Sequence, residues 1–193
     1  NLLKDKKFTE AQKNLDELIK KDQGNLDYHQ LKGTIHFNLE ELNEAIKSFS
    51  SAIKINNNNF YLYYLRGAAY TNQNMFFDAI KDFNKAILLN KNFSEAYYGL
   101  GILHLKKNEN ILAIDNFLKS INLKKEFNPP KIQLIKILTR SDKINKNESI
   151  LIATHNKIKN ININYDLENY IDNNEIKNII LNLNHLLDHN FNN

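Results

Sequence analysis

The chain repeats itself at a step of 34 residues, and that step constrains its fold more than any other feature. Gly33, Gly67 and Gly101 head three near copies, "GTIHFNLEELNEAIKSFSSAIKIN", "GAAYTNQNMFFDAIKDFNKAILLN" and "GILHLKKNENILAIDNFLKSINLK". Ala45, Ala79 and Ala113 follow the glycines in register, then Phe49, Phe83 and Phe117, then Ala52, Ala86 and Ser120. His36, Tyr70 and His104 fall three after each Gly, and His29, Tyr63 and Tyr97 fall four before it. Spacings of three and four describe a helical stripe rather than strand alternation. Small residues at the Gly and Ala columns let two helices approach closely, and the Phe fills the space between them. Each copy is thus an antiparallel helix pair whose apolar face is too large to bury alone, so the copies must stack.

These columns resemble the tetratricopeptide repeat (TPR) family, whose pattern is a large aromatic, Leu-Gly, an aromatic, then Ala, an aromatic, Ala and a closing Pro. Full repeats map to residues 26–59, 60–93 and 94–127. Lys32 and Arg66 replace the Leu before Gly in the first two, and Asn57, Lys91 and Lys125 replace the closing Pro. Backwards in the same register, Ala11, Leu15 and Leu18 occupy the Ala, Phe and Ala columns, so residues 1–25 read as the second helix of a partial repeat. Forwards, Pro129 and Pro130 stand at a helix start, where no backbone donor is lost. Asn147 stands where Ala belongs, which makes 128–160 a degenerate TPR-like helix pair. Residues 161–193 read as C-terminal capping or linking helices, with Ile176, Ile179, Ile180, Leu183, Leu186 and Leu187 on one stripe. That stripe suits a cap over the last apolar face, with a dimer seam or a connection to a further domain as alternatives. The resemblance implies an all-α, right-handed α-solenoid of stacked antiparallel hairpins.

It also implies a concave groove lined by the first helix of each repeat. The family's groove columns select Gln30, Thr34, Phe37 and Asn38 from the first repeat, beside Asp27. The second repeat supplies Tyr61, Tyr64, Ala68 and Asn72, beside Thr71. The third supplies Tyr98, Ile102 and Lys106, beside Glu95 and Leu105. These residues are expected on the helix face opposite the core. Tyr rings offer an apolar body with a polar tip, the composition of binding anchors. Asn38 and Asn72 recur in one column, where a carboxamide can both donate to and accept from a ligand backbone. The bland alternative is that the Tyr rings pack between repeats and that Asn is simply common here. A clamp for a C-terminal carboxylate is not expected, because Gln30, Thr34, Leu65, Glu95 and Gly99 at its positions supply no cation.

Asn makes up about one residue in six, and Lys far outnumbers Arg, a bias suggesting an AT-rich coding genome. The run Asn56–Asn59 falls at a repeat junction and is too short to act as a prion-like tract. Cys is absent, which excludes disulfides and thiolate chemistry. No signal peptide or membrane-spanning run is evident, so a cytoplasmic location is favoured. Net charge is +4, distributed unevenly. Residues 119–146 carry eight basic residues against Glu126 and Asp142, and residues 147–193 carry six acids against three Lys. Such a basic run is usually a solvated helix face, so nucleic acid is an unlikely partner. There is no Gly-rich phosphate loop, and His185, Asp188 and His189 make too few ligands for a metal.

No catalytic residue, cofactor or metal is expected. The leading reading is a non-catalytic TPR module that binds a protein or peptide segment, apolar or mixed in character, and acts as adaptor or assembly scaffold. The alternative is the N-terminal recognition domain of a larger enzyme, of glycosyltransferase, methyltransferase or hydroxylase type. Self-association through terminal helices is a third class.

Overall fold

The structure is a computed structural model that describes residues 2–141. Among the described residues eight helices follow one another: α1 (Leu2–Lys21), α2 (Leu26–Asn38), α3 (Leu42–Ile55), α4 (Phe60–Asn72), α5 (Phe76–Leu89), α6 (Ser94–Lys106), α7 (Asn110–Leu123) and α8 (Asn128–Ser141). α2/α3, α4/α5 and α6/α7 are the three hairpins, and α1 and α8 flank them. None of these helices is long and apolar enough to cross a membrane.

Each hairpin turns through the same device. Glu40, Asn74 and Asn108 adopt left-handed backbone with φ near +60°. Their N–H groups donate to Phe37, Thr71 and Leu105, while those of Glu41, Met75 and Glu109 donate back to His36, Tyr70 and His104. This is the Schellman arrangement, which satisfies the last carbonyls of the first helix. His36 and His104 also pair through Nδ1 with Glu41 (2.5 Å) and Glu109 (2.7 Å) across their turns. The return loops use Asn side chains. Asn56 accepts from the Asn58 N–H and Asn90 from the Asn92 N–H, while Asn25 and Asn59 cap α2 and α4 by accepting from Tyr28 and Tyr61. The asparagine run is therefore turn and capping chemistry.

The repeating columns form the core. Ala45, Ala79, Ala113, Ala52, Ala86 and Ser120 are fully buried, and Phe49, Phe83 and Phe117 fill the space beside them. The Ser at the third Ala position is accommodated because its Oγ donates to the Ser94 carbonyl at 2.8 Å. A Cβ on Gly33 or Gly101 would fall 2.5 Å or 2.3 Å from the Cε1 of its Phe, so these columns need glycine for close approach. Leu15 is buried as expected, whereas Leu18 is 40% exposed and does not behave as the third core column.

The departures before Gly have a structural reason. Arg66 makes a bidentate pair with the buried Asp82 (2.7 and 2.8 Å) and donates to Ser50 Oγ of the preceding hairpin at 2.9 Å. It also lies over the rings of Tyr63 and Tyr70. Lys32 pairs likewise with Asp16 of α1. A polar link to the preceding helix, through Ser50 for Arg66 and through Asp16 for Lys32, thus replaces the apolar contact, and Arg66 adds an ion pair within its own hairpin; Leu100 is again apolar and buried in the third repeat.

α4 packs directly against α2 and α6, and α6 against α8, but α3, α5 and α7 do not pack closely on one another. The layer of first helices is the tighter one, so the stack curves around it and presents that layer as the inner face. The expected helices after residue 141, including the stripe at 176–187 and the residues around His185 and His189, lie outside the described residues.

Candidate binding groove

The inner face is built by α2, α4, α6 and α8, and it changes character along the stack. In α2 it is polar. Thr34 returns its hydroxyl to the Gln30 carbonyl (3.0 Å), Asn38 is exposed, and Phe37 leans onto the cluster of Ala45, Phe49 and Ala69. In α4 and α6 it becomes aromatic. Tyr61 and Tyr64 stack with centroids 5.8 Å apart, and Phe93 meets Tyr64 edge-on at 5.2 Å. One repeat later Phe127 meets Tyr98 edge-on at 5.4 Å. Behind these rings, Tyr64 touches Phe83 and Tyr98 touches Phe117.

The groove columns therefore do not stand clear of the core as expected. Tyr64 packs on the Ala79–Phe83–Leu103 cluster, and Tyr98 and Ile102 pack on the cluster around Phe117. The physical reason is the tight inner layer: a ring on one first helix reaches the junction with the next hairpin. Tyr61, 41% exposed, stays open to solvent, as do Asn72 and Lys106, while Ala68 and Gln30 are half-buried. Thr71 turns inward and donates to the Gly67 carbonyl.

Phe93 and Phe127 were not legible as groove residues. The available signal is the column they share with Asn25 and Asn59: an aromatic stands where the first two repeats place a capping Asn, and Phe93 gives α6 no side-chain cap.

Two charges on this face, Glu95 and Lys106, are engaged within the chain. Glu95 accepts from Lys124 at 3.0 Å and from Ser94 Oγ at 2.9 Å. Partial burial alone would raise its carboxyl, but these donors outweigh burial and hold it below the usual carboxylate range. Lys106 donates to the Thr71 carbonyl at 3.3 Å. Burial pushes the Tyr64 phenol up to about 12, with the neighbouring Tyr61, Glu95 and Tyr98 adding to the effect. Burial likewise raises Tyr98, against a hydrogen bond from Gln133 of α8. Both phenols are neutral donors at ordinary pH. Among the described residues no three His, Asp or Glu side chains group to hold a metal.

A family model described as TPR repeat matches residues 33–74, and another described as tetratricopeptide repeat matches residues 60–93. No curated protein matches the chain. Among solved structures, a crystal structure of MamA is similar, with TM-score 0.63 and 22% identity over 79% of this chain and 89% of that one. The Arabidopsis OM64 TPR domain is similar at 25% identity and TM-score 0.53, over 55% of this chain and 88% of its own.

Proposed function

We propose that this tetratricopeptide-repeat chain, with its repeats matched over residues 33–93, binds a protein or peptide segment along the inner face of α2, α4 and α6. It acts there as a non-catalytic adaptor or assembly scaffold. The observation that supports the reading is the row Tyr61, Tyr64 and Tyr98, with Phe93 and Phe127 edge-on beside them and Phe83 and Phe117 behind Tyr64 and Tyr98. Rings fixed before a ligand arrives lose little freedom on binding, so their apolar area converts into affinity at low ordering cost. Asn38 and Asn72, exposed at the far ends of α2 and α4, supply backbone-directed hydrogen bonds. With Glu95 and Lys106 engaged internally, the partner segment is apolar or mixed rather than defined by a terminal carboxylate.

The test is affinity capture from source-cell lysate with the wild type and with Tyr61→Ala/Asn38→Ala/Asn72→Ala. These three side chains are exposed, so the variant keeps its fold, which circular dichroism checks. The reading expects a protein captured by wild type and lost from the variant. Equal capture by both would remove the inner face as the binding surface.

A further inference from the structure

The outer layer of second helices carries an apolar cleft of its own. α6 packs against both α5 and α7, while α5 and α7 do not pack closely on each other, so a cleft runs between them over α6. On α5, Ile80 and Ile87 pack on the cluster that holds Leu100 and Leu103 of α6, and Phe77 and Leu88 stand further out on that flank, both exposed. On α7 the facing flank follows from the repeat register. Asp82 of α5 lies toward the preceding hairpin, because its partner Arg66 reaches Ser50 there. Its equivalent on α7 is Asn116, and the exposed Leu112 and Leu123 come four before and seven after it. One wall is thus Phe77 and Leu88, and the other Leu112 and Leu123. In the cleft between α3 and α5 the same columns hold Asn43, Lys54, Asp78 and Leu89, so that cleft is mostly polar.

The chain contains a face that matches. The stripe of Ile176, Ile179, Ile180, Leu183, Leu186 and Leu187 spans eleven residues from first to last. Phe77 to Leu88 and Leu112 to Leu123 span the same interval, about 16 Å of helix. Residues 144–157 stand in register where the second helix of a fifth repeat belongs, against α8, so the stripe needs a different face to cover it. The 34 residues from 142 to 175 reach any part of the array, at about 3.3 Å each when extended. Such a tether turns docking into an intramolecular event. Charge agrees with this occupant. Lys81 and Lys119, exposed on α5 and α7, pair with no described residue. Asp172 and Glu175 each stand four residues before a member of the stripe, in a tail with six acids against three Lys.

We propose that residues 172–187 dock as an amphipathic helix in the cleft between α5 and α7 of the same chain. The stripe lies between the two apolar walls, and Asp172 and Glu175 meet Lys81 and Lys119. The inner face of α2, α4 and α6 stays open in this arrangement.

Cys is absent, so a nitroxide on Asn184→Cys marks a single site beside the stripe in the full ¹⁵N-labelled chain. Paramagnetic loss of amide signals is expected along the outer flanks of α5 and α7, and not along α1 and α2. Phe77→Asp/Leu112→Asp changes two exposed positions and should return those signals with circular dichroism unchanged. A mixture of ¹⁵N-labelled chain without nitroxide and unlabelled chain with nitroxide should show no loss. Loss confined to α8, no loss at all, or a loss that survives Phe77→Asp/Leu112→Asp overturns the proposal. Loss in the mixture equal to that in the singly labelled chain gives the cleft to a second copy and overturns it as well.

Discussion

The close approach of the paired helices can be tested by adding single methyl groups at the glycine column. At Gly101 a Cβ would lie 2.3, 2.5 and 2.9 Å from three ring atoms of Phe117. The ring would have to retreat by about 1 Å to restore ordinary contact near ~3.5 Å. It has no room to do so, being fully buried and backed by Tyr98. At Gly67 the corresponding distances to Phe83 are 3.0 and 3.1 Å, so a few tenths of an ångström suffice. Gly→Ala inside a helix is worth about 1 kcal/mol in the variant's favour. Overpacking a tight core costs about 1–3 kcal/mol. Gly67→Ala should therefore come out near neutral, and Gly101→Ala should be destabilised by about 1–2 kcal/mol. Urea denaturation followed by circular dichroism at 222 nm measures the difference. Gly101→Ala/Phe117→Leu should recover part of the loss, because the clash is pairwise. Equal effects at Gly67 and Gly101, or a stabilised Gly101→Ala, would refute the packing argument.

Three further predictions follow from particular contacts. Arg66→Leu introduces the apolar residue that Leu100 supplies in the third repeat but leaves Asp82 buried without its partner, so stability should fall by about 3 kcal/mol in denaturant melts. Arg66→Leu/Asp82→Leu should be markedly more stable than the single variant. Glu40 holds φ 61° at a turn where the other two repeats use Asn. Glu40→Gly should therefore raise stability by about 1 kcal/mol, read as a higher urea midpoint. The Tyr64 phenol is raised from 10.0 to about 12 by burial, so the folded state resists its ionisation. Its stabilising contribution is complete below pH 10 and is lost as pH rises toward 12. Tyr64→Phe should flatten the fall in melting temperature over that window, and an unchanged profile would contradict the burial of the ring.

Much of the fold was legible because its strongest constraint is periodic. Gly33, Gly67 and Gly101 with Phe49, Phe83 and Phe117 are set by the contact between two helices, and that contact recurs in each hairpin, closer at Gly33 and Gly101 than at Gly67, so a column in the sequence maps onto a column in space. The bridge from Arg66 to Asp82 and Ser50 was not legible. Its partners lie 16 residues away on either side, and only helix packing brings them together, within the hairpin for Asp82 and between hairpins for Ser50. The groove shows the same division. Tyr61, Tyr64 and Tyr98 share the expected columns, but the burial of Tyr64 and Tyr98 depends on how closely the hairpins pack around them. Phe93 and Phe127 were hidden because a junction position is usually read for capping chemistry, not for a ring that reaches the neighbouring helix. Leu18 shows the limit of the register itself: it stands in the right column on α1, yet remains exposed.

The most direct test of the inner face as the binding surface is site-specific photo-cross-linking in source-cell lysate. A photoreactive phenylalanine is placed either at Tyr61 on the inner face or at Phe77 on α5, where the native ring is 81% exposed. The account predicts a discrete adduct from position 61, identified by mass spectrometry, and none of the same mass from position 77. An adduct from position 77 with none from position 61 would contradict it and assign the partner to the layer of second helices.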